Sequence, residues 1–134
     1  MALHGAALQK GVFETLDGDS SLSALVTGVY DDVPEGTALP YVVIGEDTAV
    51  NVGTKGLDGL EHTLTIHCWS QYRGRKEVKE IMEAVYNALH DEAISLTGST
   101  LVNIKQEFAQ TIVETDGITR HGIMRFRAVV FDSN

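Results

Sequence analysis

The stretch His62-Thr63-Leu64-Thr65-Ile66-His67-Cys68-Trp69 alternates in character residue by residue. Side chains of an extended strand leave on alternate faces, so Leu64, Ile66 and Cys68 share one face and Thr63, Thr65, His67 and Trp69 the other. Past Gly74 the period changes. Val78, Ile81, Met82, Val85 and Leu89 recur at spacings of three and four, which predicts an amphipathic helix of about four to five turns, with Glu77, Lys79, Glu80, Glu83 and Asn87 on its outer face. A one-sided strand followed by a one-sided helix is packed most economically with the helix laid on the apolar face of a sheet.

Downstream, residues 101–113 and 118–131 read as two strands around Glu114-Thr115-Asp116-Gly117, whose Asp-Gly is a hairpin signal. In the first, Val102, Ile104, Phe108 and Ile112 are expected on one face, interrupted by Gln106 and Gln110. In the second, Met124, Phe126, Ala128 and Val130 face one way, while Ile123, Arg125, Arg127, Val129 and Phe131 face the other. Two arginines beside Val129 and Phe131 suit either a plain exposed face or one that later becomes an interface.

Upstream, Leu8, Val12, Phe13 and Leu16 predict a helix over 2–16, and Ser20 or Ser21 can cap a short turn carrying Leu22, Leu25 and Val26. Residues 29–33 read as extended. Pro34-Glu35-Gly36 then turns the chain, and Tyr41-Val42-Val43-Ile44 forms a buried strand. Between Ala49 and Leu60 the spacing of Gly53, Gly56 and Gly59, with Lys55 and Asp58, predicts a flexible hairpin arm over 49–60. The expectation is an α+β fold, a mostly antiparallel sheet with helices on one face, spanning 1–134 as a single domain.

Nineteen acidic against ten basic side chains leave a net charge of −9, which disfavours wrapping nucleic acid or resting on an anionic membrane. The first ten residues carry no leader-like pattern, and the apolar run at 39–44 is far short of a membrane span. The reading is therefore a protein made in the cytoplasm, without membrane contact. Cys68 is the only cysteine, so no intrachain disulfide forms.

The search for chemistry returns no motif. His67 and Cys68 are adjacent in a strand and point apart, so they form no dyad, and His62 and His67, five positions apart, likewise leave on opposite faces and make a poor metal pair. Gly53-x-x-Gly56-x-x-Gly59 matches neither phosphate-loop pattern and precedes a strand where a helix N-terminus would be needed. Neither an enzyme nor a cofactor is expected. The sharpest charge feature is Arg73, Arg75, Lys76 and Lys79, placed between Trp69 and the central helix. Basic side chains sit poorly at the positive end of a helix dipole. They are either solvated and partly neutralised by Glu77 and Glu80, or compensated by a phosphate or a partner's carboxylates. The net charge favours a neighbouring acidic subunit over DNA.

Leu39-Pro40-Tyr41-Val42-Val43-Ile44-Gly45, His62 to Ser70, Gly74-Arg75-Lys76-Glu77-Val78 and Gly122 to Ala128 together resemble the tail terminator, or tail completion, proteins of long-tailed phages and gene transfer agents. The likeness runs in order along nearly the whole chain. It implies a non-catalytic virion protein at the head-proximal end of the tail. In that role it is a homo-oligomer, a hexameric ring that caps the tail tube protein, ends polymerisation and offers a face to the head-tail connector or stopper, while DNA passes through the lumen without specific binding. Arg73, Arg75, Lys76, Lys79, Arg125, Arg127 and Trp69 are then candidate interface residues, and the arm residues Gly53, Lys55, Gly56, Asp58 and Gly59 candidates to order on a neighbour. The alternatives are a small α+β ligand-binding domain, which needs a concave pocket with convergent polar groups, and a nucleic-acid-binding adaptor using the Arg73–Lys79 cluster.

Overall fold

The computed structural model describes residues 4–132 apart from 54, 55 and 57. In chain order they form α1 (Gly5–Asp17), α2 (Ser20–Ser23), β1 (Val29–Tyr30), β2 (Tyr41–Asn51), β3 (Gly59–Ser70), α3 (Lys76–Leu89), β4 (Ser99–Val113) and β5 (Arg120–Asp132). The strands make one sheet in the order β1-β2-β3-β5-β4, with β1 parallel to β2 and every other pair antiparallel. The fold is α+β, as the alternation at 62–69 requires.

The period-2 strands and the period-3.6 helix meet where the sequence puts them. Leu64, Ile66 and Cys68 of β3 and Met124, Phe126, Ala128 and Val130 of β5 are buried, and Val78, Ile81, Met82, Val85 and Leu89 of α3 lie against them in one cluster. Leu8, Val12 and Leu16 of α1 and Val42 and Ile44 of β2 complete that cluster. Close approach of α3 needs Gly122, since a Cβ there would lie 2.6 Å from the Met82 Sδ. Among the described residues the other face of the sheet carries no helix. No helix among the described residues is long and apolar enough to cross a membrane.

Several expectations shift. The short helix α2 is capped by Asp19, whose carboxylate accepts from the Leu22 N–H at 2.9 Å, rather than by Ser20 or Ser21. Residues 31–33 lie outside β1. The 49–60 arm is narrower than expected. Ala49, Val50 and Asn51 pair with His62, Glu61 and Leu60, which leaves 52–58 between the strands. Gly59 is a buried β3 residue, where a Cβ would meet the Phe131 ring at 2.6 Å, and Lys55 lies outside the described residues.

The expected common face of Val102, Ile104, Phe108 and Ile112 does not exist. Register shifts fall between Leu101 and Asn103 and between Gln106 and Phe108. Each inserted residue reverses the facing of the strand beyond it. Ile104, opposite Ala128, is buried; Phe108 and Ile112, opposite Arg125 and His121, stand on the open face, and Val102 is exposed in the first bulge.

Phe126 is among the largest fully buried side chains and sits mid-sheet beneath α3. Phe126→Ala is expected to lower the free energy of unfolding by about 3–5 kcal/mol, read from the urea midpoint at unchanged slope.

Candidate functional site

The open face of the sheet is where unpaired chemistry collects. By cross-strand register it carries His67 and Trp69 of β3, Ile123, Arg125, Arg127 and Val129 of β5, and Phe108 and Ile112 of β4. At its centre the Arg125 guanidinium lies 4.9 Å over the Phe108 ring, a cation–π contact that only the second β4 bulge makes possible. Arg127 is exposed, and its cross-strand neighbours are Thr63 and Lys105. Among the described residues neither arginine forms an ion pair, whereas Lys105 holds Asp91 at 2.6 Å.

Toward one end of this face runs a polar chain that the sequence did not disclose. His67 Nε2 lies 2.8 Å from the Glu46 carboxylate, His67 Nδ1 lies 2.7 Å from His121 Nε2, and His121 Nδ1 lies 2.8 Å from Glu114. Trp69 stacks on His121 with ring centres 3.7 Å apart and planes 12° from parallel. Gly45, in the β2 bulge, makes room for it, because a Cβ there would be 2.6 Å from the His67 ring. The hydrogen bond from His67 holds the Glu46 carboxyl below the usual carboxylate range. Burial pushes His121 below the ordinary imidazole value, although the Glu114 bond pulls the other way. Full protonation of both rings would set two N–H groups head to head across the 2.7 Å contact.

The basic residues singled out from sequence separate into two groups. Arg73 and Arg75 precede α3, Lys76 and Lys79 lie in its first turns, and all four are exposed on the helix side of the sheet. Arg125 and Arg127 stand on the opposite, open face with Trp69, so the candidate interface residues fall on two sides of the sheet. None of the helix-side four makes an ion pair among the described residues.

His4, Ser99 and Cys68 are buried as well. His4, at φ 63, brings Nδ1 to 2.6 Å from the Ser99 hydroxyl and Nε2 to 2.7 Å from Asp132, the latter off the line of a good hydrogen bond. Serine on Nδ1 and carboxylate on Nε2 reverse the arrangement of a nucleophile triad, and Ser99 is itself buried. The trio clasps the start of α1 to the ends of β4 and β5. Cys68 is fully buried and its thiol is pushed up to about 12, so it behaves as a small apolar core residue. Among the described residues no group of three or more His, Cys, Asp or Glu is arranged to hold a metal ion.

Comparison with known proteins reaches the whole fold. A family model described as tail completion protein gp17 matches residues 10–131. The chain belongs to the gp17 tail completion family. It is 34% identical over 128 residues to the tail completion protein gp17 of Bacillus phage SPP1, covering 96% of this chain and 95% of that one. A chain in the virion of a native gene transfer agent particle matches with a TM-score of 0.91 at 32% identity, covering 97% of this chain and 98% of that one. The structure of bacteriophage SPP1 gp17 matches with a TM-score of 0.67 at 33% identity, covering 99% and 93%. The tail completion family is the one that the motifs at 39–45, 62–70, 74–78 and 122–128 resemble.

The depressed His121 value gives a pH dependence with a definite sign. Between its folded value and the ordinary imidazole value of about 6.5, the unfolded chain binds a proton that the native one does not, so this stability is present above 6.5 and lost as pH falls. Glu46, Asp91 and Asp116, all lowered, act only further down, in the carboxylate range. Stability is expected to fall as pH drops below about 6.5, with a slope from this group of at most about 1.4 kcal/mol per pH unit. His121→Phe, which keeps a ring against Trp69, should flatten that slope in denaturant titrations; an unchanged slope would show that His121 does not set it.

Proposed function

We propose that this chain is a non-catalytic structural subunit of a virion tail, forming a ring that caps the head-proximal end of the tail tube, ends its polymerisation and joins it to the head-side connector. The observation that carries this is the likeness to the chain of an assembled gene transfer agent virion, close in shape and nearly complete in coverage of both chains. Membership of the tail completion family supports the same place in the particle.

The surface suits such a role. A closed ring of identical copies joins two different patches of each subunit, and among the described residues this one offers basic side chains that form no internal ion pair, on a chain of net charge −9. Arg73, Arg75 and Lys76 at the start of α3 would face carboxylates of a neighbouring copy or of the connector, and Arg125 and Arg127 those of a second contact. A ring of strongly negative subunits repels a duplex in its lumen, so DNA slides without being gripped. Val52, Gly53 and Asp58, flanking the β2–β3 connection, would reach a neighbour or the tube.

Mixed with its cognate tail tube protein, the purified chain should cap one end of each tube and limit tube length in negative-stain images. Arg75→Glu/Lys76→Glu should lower the fraction of capped tubes about tenfold or more without changing the unfolding midpoint. Tubes of unaltered length with bare ends would sink the terminator reading.

A further inference from the structure

A sheet ends in edges, and an edge strand with free N–H and C=O groups is a template for another strand. Here the two edges are unlike. On one side the first half of β4 is covered. Asp91 donates its N–H to the Ile104 carbonyl at 2.8 Å, and Gln106 donates to His90 Nδ1 at 3.0 Å. After the bulge at Glu107 that cover stops. Residues 107–113 run along a groove of about 300 Å³ between the edge and α3, lined by Lys79, Met82, Ala109, Gln110 and Thr111. On the other side β1 pairs only with Val42 and Val43, so the far half of β2 is an edge as well, with residues 46–51 all exposed.

We propose that successive copies of this chain join edge to edge, residues 107–113 of one pairing with 45–51 of the next, so that one sheet continues around the assembly. This rests on the ring reading above and specifies its subunit contact. Three features make the occupant a second copy. The two free segments are of similar length. The strand directions fit, because β2 and β5 run one way and β3 and β4 the other; a neighbour brought alongside without reversing the sheet sets its β2 antiparallel to β4, the more stable pairing.

The third feature is which side chains share a face. Asp47, paired with Leu64, lies on the helix side of β2 and would come beside the Lys79 groove, where the small Ala109 and Thr111 leave room for it. Val50, paired with Glu61, lies on the open side and would come beside Phe108. Val50 is 59% and Phe108 39% exposed in the single chain, so each gains cover. The contact is heterologous, and repeating it by rotation closes a ring.

The test uses the full chain with its cognate tail tube protein. Lys79→Asp and Asp47→Lys are each expected to raise the concentration needed for tube capping about tenfold, and the double exchange to recover most of the loss. With a short bis-maleimide, Ala49→Cys/Thr111→Cys should give a ladder of linked subunits at capped tube ends, while either single variant stops at pairs; the native Cys68 is buried. Capped tubes with no ladder and no effect of the exchanges would overturn the edge-to-edge contact and leave the terminator reading standing. If the unaltered chain caps no tubes, the terminator reading falls, and this contact with it.

Discussion

The structure depends on burying one face of a mostly antiparallel sheet under α1 and α3 while leaving the other open. Each buried apolar side chain removed from water contributes about 1.5–3 kcal/mol, and β3 and β5 supply theirs every second residue. That spacing obliges the intervening residues to face away, so the same alternation that builds the core also decides which side chains, Arg125, Arg127, His67 and Trp69 among them, are presented to whatever meets the molecule. Core and surface are two readings of one pattern.

The same pattern explains how much of the fold the sequence disclosed. The strand at 62–69, the helix faces of α3 and the inward set Met124, Phe126, Ala128 and Val130 were legible because an unbroken period over several residues leaves no other solution. The faces of β4 were not. A bulge has no signature in periodicity, and the one between Gln106 and Phe108 reassigned Phe108 and Ile112 to the open side. Asp19 took the cap that the neighbouring serines could equally have filled, since proximity in sequence alone does not rank adjacent candidates.

The candidate site divides in the same way. Arg73, Arg75, Lys76 and Lys79 were legible as a cluster because they are close together in the chain; that Arg125 and Arg127 lie across the sheet from them required the topology. The contacts among Glu46, His67, His121 and Glu114 depend on strand register and on the β2 bulge, and four separate single letters gave no hint of them. The family, by contrast, was legible from short apolar and polar blocks in a fixed order along the whole chain, since order survives where individual motifs are weak.

Hydrophobic alternation has a blind spot that the polar chain addresses. It penalises a slip of one residue between strands, which turns every apolar group outward, but a slip of two restores all the faces and is nearly invisible to it. The links from Glu46 on β2 to His67 on β3, to His121 on β5 and to Glu114 at the turn between β4 and β5 tolerate no such displacement, because each depends on atoms within 2.7–2.8 Å. The core thus sets parity and the histidine chain sets the absolute count, as a vernier fixes a scale whose divisions all look alike.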